Sequence, residues 1–280
     1  MSGLLQISDP HFGTEQPPVV EALARFVEAQ RPELLVLSGD ITQRATRAQF
    51  NAARRFVDRL AIPHRLVIPG NHDVPLYAFW MRLFAPYARH RAAFGDALEP
   101  TIETAGWAVI GVNTTRWYRH TDGEVSAEQI EQVAQQLQRS AGDASKLRIV
   151  VVHQPVAVTR EKDAHDLLRG REAAVRRWAE AGADLVLGGH IHLPFVLPLQ
   201  SVDGTLPRAL WCVQAGTALS SRVRAGQANS VNLIRRDAPS QGRQCTVERW
   251  DFARSSGEFE CAEIHTLALS AEAARAPARA

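Results

Sequence analysis

Five short apolar runs, each ending at residues that ligate metals or move protons, constrain this chain more than any other feature. Leu4-Leu5-Gln6-Ile7 ends at Asp9-Pro10-His11, and Leu34 to Leu37 ends at Gly39-Asp40. His64 to Ile68 ends at Pro69-Gly70-Asn71-His72-Asp73, Ile149 to Val152 at His153, and Leu185 to Leu187 at Gly188-Gly189-His190-Ile191-His192. Short apolar runs of this kind read as buried strands. In an open α/β sheet, polar groups at strand exits collect along one edge, where ligands bind. The exits therefore predict one polar centre, and their Asp, Asn and His content predicts a metal centre. Five of the ten histidines fall in these exits; His64, His90, His120, His165 and His265 do not.

The spaces between the runs read as helices. Pro17-Pro18 opens one that extends to about Gln30, with Val20, Leu23, Ala24 and Val27 on one face. A second, over 46–60, turns Phe50, Ala53, Phe56, Val57 and Leu60 inward. With strands at 3–8, 33–38 and 64–68 this makes a β-α-β-α-β series, which requires a parallel sheet covered by helices. Ser126-Ala127-Glu128-Gln129 has the spacing of a capping box and opens a helix to about Arg139. That helix lies between strands at 107–112 and 148–152, and a helix carrying Val175 and Trp178 precedes the strand at 184–187. After His192 the pattern alternates. Runs 208–215, 230–235, 245–252 and 259–267 predict antiparallel strands and a second sheet. Residues 74–98 cluster Tyr77, Phe79, Trp80, Phe84, Tyr87 and Phe94 with several arginines. They predict a helical excursion over the Asn71 loop, either a lid or an amphipathic segment packed on the core. One domain over 1–268 and a fraying Ala/Arg-rich tail over 269–280 complete the expectation.

Composition excludes several classes. With 280 residues, 45% of them hydrophobic and 22% charged, the chain can bury a core. A net charge of +2 without any Lys/Arg block argues against a nucleic-acid partner. Three widely spaced cysteines argue against a disulfide framework or a thiolate zinc site, and buried thiols in a reducing compartment are expected. The run from Leu185 to Val202 is uncharged, but its two His, two Pro and Gly-Gly pair make it a poor membrane span. No charged and apolar leader pattern precedes Asp9, so a cytoplasmic location is expected.

In chain order the exits read D-x-H at 9–11, G-D at 39–40, G-N-H-D at 70–73, H at 153 and G-H-x-H at 189–192. This ordered set resembles the calcineurin-like metallophosphoesterase family over roughly residues 3–220. Within that family the chain is most similar to the small bacterial class III cyclic nucleotide phosphodiesterases and related phosphodiesterases. The resemblance implies an α/β protein with a four-layer α/β/β/α sandwich, in which a mixed sheet packs on a second, largely antiparallel one. It also implies two metal ions in the loops between the sheets. Asp9, His11, Asp40 and His192 would hold the first ion, and Asp40, Asn71, His153 and His190 the second, with Asp40 bridging. Imidazole-rich ligation favours Mn, Fe, Zn or Co over an all-oxygen Mg or Ca site.

The implied reaction is hydrolysis of a small phosphodiester, a cyclic nucleotide such as cAMP or a glycerophosphodiester, by a metal-bound hydroxide. His72 would donate a proton or hydrogen bond to the phosphate or leaving-group oxygen. Asp73 would either orient that imidazole or cap the segment starting at Val74. Arg44 is a candidate phosphate clamp or an exposed helix-start arginine. Asn113, Thr114 and His120, on a further loop, are candidate substrate contacts. Gln154 follows His153 where relatives often carry a second His, so substrate contacts there should differ. The same site admits a phosphomonoesterase or protein phosphatase, whereas the intact motif set argues against a non-catalytic scaffold. The expected partner is a small-molecule substrate; the late strands either offer an edge for a second copy of the chain, as a homodimer, or simply complete the second sheet.

Overall fold

Strand residues 3–7, 34–38, 107–111, 147–151 and 185–188 are buried at every position, so helices or sheets must cover both faces of each strand. The computed structural model describes residues 3–140, 143, 145–201, 206–236 and 243–270. Its first sheet starts with β1 (Gly3–Ile7), β2 (Leu34–Ser38) and β3 (His64–Ile68), which are parallel and linked by α1 (Pro17–Gln30) and α2 (Arg47–Arg59). Leu5, Ile7, Leu35 and Leu37 face Leu23, Phe26, Phe56 and Val57 of these helices. The alternate residues Leu4, Leu34, Val36, Leu66 and Ile68 face the other way.

The second sheet runs β4 (Thr101–Glu103), β5 (Trp107–Gly111), β6 (Leu147–Val151), β7 (Leu185–Gly188), β9 (Trp211–Gln214) and β8 (Phe195–Pro198) in spatial order. α3 (Ala127–Arg139) and α4 (Arg171–Ala181) cover its outer face through Ile130, Val133, Leu137, Val175 and Trp178. The predicted capping box opens the first of them: Ser126 Oγ accepts from Gln129 N at 3.2 Å, and Gln129 Oε1 accepts from Ser126 N at 3.0 Å. Trp107, Val109, Ile149, Val151, Leu185 and Leu187 meet the first sheet's inner face, which completes the four layers.

One expectation is corrected. Only the first of the four late runs joins the second sheet, as β9, and it is parallel to β7. The other three form β10 (Ser230–Arg236), β11 (Gln244–Ala253) and β12 (Glu258–Ala268), which extend the first sheet antiparallel from the free edge of β1. The second sheet is therefore parallel through β5, β6, β7 and β9, and antiparallel only at β4 and β8. Alternation records one-sided burial; it carries no information on which edge a strand will join. β12 ends the sheet with Glu258, Glu260 and Glu263 along it, charges that discourage further strand pairing.

Two thiols, Cys212 and Cys245, are buried as expected, but Cys261 on β12 is exposed. No helix among the described residues is long and apolar enough to cross a membrane. Of the expected tail, residues 271–280 lie outside the described residues.

The excursion over 74–98 forms two short helices, Phe79–Phe84 and Ala88–Phe94. The first buries none of its residues and leaves Tyr77, Phe79, Trp80 and Phe84 exposed around it. The second packs inward: His90 lies edge-on to Phe50 and against Phe94, and its ring nitrogens have no hydrogen-bond partner among the described residues. Burial pulls that imidazole down to about 4. An unfolded histidine titrates at about 6.5. As pH falls from there, the unfolded chain therefore gains a proton that the folded one refuses, and stability is lost. The expected loss is about 2 kcal/mol by pH 5. Denaturant unfolding of wild type and His90→Leu at pH 7 and pH 5 should show that loss in wild type and less of it in the variant. Equal losses in both would refute the assignment.

Candidate metal centre

Every predicted ligand sits just beyond the C-terminal end of a parallel strand. Asp9 and His11 follow β1, Asp40 follows β2, Asn71 follows β3, His153 follows β6, and His190 and His192 follow β7. The chain must turn sharply there to aim these side chains inward. Asp9, His11, Asp40, His190 and His192 all have positive φ, at 50°, 43°, 47°, 73° and 53°. Such backbone in a non-glycine residue costs on the order of 1–3 kcal/mol and persists where surrounding structure enforces it. The glycines of the motifs allow the loops to touch. A Cβ on Gly70 would overlap the backbone nitrogen of Asp40, and one on Gly39 would overlap the ring of His153.

Besides a group in which His72 joins His11 and Asp40, the side chains converge as two sets. In one, Asp9, His11 and His192 bring their ligand atoms within 4.8 Å of one another. His11 Nε2 is 3.1 Å from His192 Nε2 and 3.9 Å from Asp9 Oδ1. In the other, Asp40, His153 and His190 do the same, and Asn71 Oδ1 lies 3.2 Å from His153 Nε2. Asp40 belongs to both. Its Oδ1 is 3.3 Å from His153 Nε2, and its Oδ2 is 3.7 Å from His11 Nε2.

Backbone carbonyls fix the rings. His153 Nδ1 donates to Ser38 O at 2.9 Å and His192 Nδ1 to Arg222 O at 2.7 Å, so each turns Nε2 to the centre. His190 is reversed: Nε2 faces Asp166 Oδ1 at 3.4 Å, while its buried Nδ1 has no hydrogen-bond partner among the described residues. An orphaned buried nitrogen beside a carboxylate, an amide oxygen and another imidazole fits a cation.

The electrostatics agree. Burial opposes ionisation of Asp9, but the charges of His192 and His153 outweigh it and hold the carboxyl at about 2. Burial likewise works against Asp40, yet His153 and His72 keep it well below the ordinary carboxylate range. Burial would lower His153, but Asp40 raises it to about 9. His11 is dominated by burial and falls to about 3. The two carboxylates thus draw positive charge into a buried place, and the donor set of two carboxylates, one amide and four imidazoles fits two divalent ions.

His72 lies beside this centre. Its Nδ1 is 3.0 Å from Gln43 O and its Nε2 is 3.1 Å from Arg222 Nη1. A carbonyl on one side and a guanidinium on the other allow one tautomer: Nδ1 donates and Nε2 accepts. Asp73 does not touch that ring. Its carboxylate accepts from Ile41 N at 3.0 Å, Thr42 N at 2.8 Å, Thr42 Oγ1 at 2.8 Å and Gly70 N at 2.9 Å. It ties the β2 and β3 exits together, a structural role different from both expectations, the orienting of His72 and the capping of the segment from Val74.

The expected substrate contacts fare differently. A cavity of about 410 Å³ opens on the centre, with Asn71, His72, Thr121, His190 and Arg222 among its walls. Arg44 is exposed and stacks on Tyr77 at 5.6 Å instead of lining it. Asn113 Oδ1 is consumed by Thr115 N and Thr115 Oγ1 at 3.1 and 2.7 Å, a local turn. Thr114 donates to Gln154 Oε1 at 2.5 Å, and Gln154 Nε2 donates to Thr121 O at 3.1 Å, so Gln154 is a loop brace. His120 is exposed one residue before Thr121. Sequence reasoning missed Arg222, Asp166 and Thr121, whose loops carry no motif spacing.

Comparisons with known proteins agree with this geometry. The model of the calcineurin-like phosphoesterase family matches residues 3–194. A protein of Synechococcus sp. named as a probable cyclic nucleotide phosphodiesterase is 27% identical over 203 residues, covering 69% of this chain and 74% of its own. Among solved structures, a dimetal phosphatase from Danio rerio superposes with a TM-score of 0.62 at 10% identity, over 96% of this chain and 99% of that one. The purple acid phosphatase PPD1 from yellow lupin (Lupinus luteus) seeds gives 0.70 at 11% identity over 95% of this chain. The chain spans about half, 53%, of the lupin protein.

Removing the shared carboxylate should empty both sets, whereas His72, although its ring comes within 4.8 Å of ligand atoms of His11 and Asp40, is held by Gln43 and Arg222 and should not be needed to hold metal. After reconstitution with Mn, elemental analysis should find little metal in Asp40→Ala and near wild-type metal in His72→Ala. Metal loss in His72→Ala would overturn this division.

Proposed function

The chain belongs to the calcineurin-like phosphoesterase family, and on that premise we propose that it hydrolyses a small phosphodiester at the Asp40 centre. It is a metal-dependent phosphoric ester hydrolase. The observation that carries the proposal is the placement of Asp40, with one oxygen toward each ligand set and the cavity beside it. Asp9, His11, Asp40 and His192 would hold one ion, and Asp40, Asn71, His153 and His190 the other, with Mn, Fe, Zn or Co suited to the imidazoles. Such ions supply Lewis acidity to phosphoryl oxygens and lower the pKa of water.

The chain's own residues do the rest. The buried carboxylates fix the charge of the site, and His72, with a proton on Nε2, would donate to the phosphate or the leaving-group oxygen. The exposed helix Phe79–Phe84 would act as a cover: Arg82 ties it to the carbonyl of Arg119, on the loop that leads to Thr121. A cyclic nucleotide or a glycerophosphodiester suits a cavity of about 410 Å³, and the Synechococcus relative's name supports the first. The monoesterase reading keeps the same ligands and is favoured by the additional cation, Arg222, that a dianion would meet in the cavity wall.

The deciding measurement is turnover of the Mn-loaded protein on cAMP, a glycerophosphodiester and matched nitrophenyl mono- and diesters. We expect faster turnover of diesters than of the monoester, and a His72→Ala rate lower by about 10²–10⁴-fold with metal retained. Monoester preference would move the enzyme to the phosphatase reading.

A further inference from the structure

We propose that the Arg222 side chain is a clamp for a non-bridging oxygen of the substrate phosphate, an inference that rests on the phosphoesterase reading of the site. Arg222 lies in the loop between β9 and β10, outside every motif and outside the part of the chain matched by the family model. Its guanidinium nevertheless reaches the cavity wall, with Nη1 at 3.1 Å from His72 Nε2, 3.2 Å from Gln43 Oε1, and 3.4 and 3.5 Å from the ring nitrogens of His11.

None of these partners is a carboxylate. No carboxylate among the described residues pairs with Arg222, whereas Arg224, two residues on, is neutralised by Asp163 at 2.6 Å. A guanidinium beside a phosphate site, paired with no carboxylate, gains a stronger charge-assisted bond when an oxyanion enters.

The position is built and is not a chance of a loose loop. Ser221 N donates to Thr14 O at 2.9 Å and Arg222 N to Ser220 Oγ at 3.1 Å. Ser220 Oγ is 2.7 Å from Thr217 Oγ1, and Ser220 O accepts from Asn229 Nδ2 at 2.8 Å and Gln16 Nε2 at 3.0 Å. The Arg222 carbonyl in turn receives His192 Nδ1 at 2.7 Å. The backbone thus orients a metal ligand while the side chain is left to face the substrate. A side-chain variant separates the two roles.

The test compares metal-loaded wild type, Arg222→Ala and Arg222→Lys. It measures metal content by elemental analysis, inorganic phosphate affinity by calorimetry, and KM and kcat on bis-nitrophenyl phosphate. Metal content should be unchanged. Phosphate affinity should fall about 10- to 100-fold in Arg222→Ala, KM should rise in parallel, and Lys should restore part of both. Unchanged phosphate affinity in Arg222→Ala would overturn the clamp, as would metal loss, which would place the effect on His192. If wild type hydrolyses no ester yet loses phosphate affinity with Arg222, the clamp stands and the diesterase reading falls.

Discussion

Two carboxylates, Asp9 and Asp40, are buried where the edges of two sheets meet, and much of the structure follows from keeping them there. Each is almost fully shielded from water, and an ion so placed costs several kcal/mol unless its lone pairs are satisfied and its charge is opposed. Ser8 Oγ at 2.6 Å and His190 N at 3.0 Å satisfy Asp9; His72 N at 2.8 Å satisfies one oxygen of Asp40. The opposing charge comes from imidazoles and, in the active protein, from metal ions. Five of the converging residues, in left-handed backbone, add strain. The loops cannot relax away from it because the strands beneath them are locked in the inner core.

The seam between the sheets does this locking. The first sheet supplies both carboxylates and Asn71, and the second supplies His153, His190 and His192. Neither sheet holds a complete set alone, so the centre exists only at their registered contact. A buried amide network fixes that contact directly below: Gln6 Nε2 donates to Gly188 O at 3.0 Å, and Gln6 Oε1 accepts from Asn232 Nδ2 at 3.0 Å. His153 Nδ1 crosses the seam to Ser38 O. A satisfied polar network inside an apolar layer specifies one register where packing alone would tolerate several.

Local pattern carried the sequence reading as far as local physics reaches. The β-α-β series, the capping box at Ser126 and the seven side chains that converge on the centre were legible because strand exits and helix caps are written within a few residues. The partners of β10, β11 and β12 were not, since strand alternation is silent about which edge accepts it. Asp73 was ambiguous for the same reason: its partners Ile41 and Thr42 come from another loop. Arg44 looked near the site by number yet turns onto Tyr77, whereas Arg222 looked remote and reaches it. Long flexible side chains are the residues whose destination sequence position predicts least.

Arg222 and His72 also bear on each other. In the free site the guanidinium donates to the lone pair of His72 Nε2, so the nitrogen that faces the cavity is engaged before substrate arrives. An ion on His11 would repel that guanidinium, which lies within 3.5 Å of the same ring. An entering phosphate relieves the repulsion, because its oxygen is a better acceptor for Arg222 than a neutral imidazole. The exchange would free the lone pair of His72 Nε2, which must take up a proton before it can donate to a leaving-group oxygen. On this proposal, binding the phosphate and freeing the group that meets the leaving oxygen are one event, set by the choice a single guanidinium makes between two acceptors.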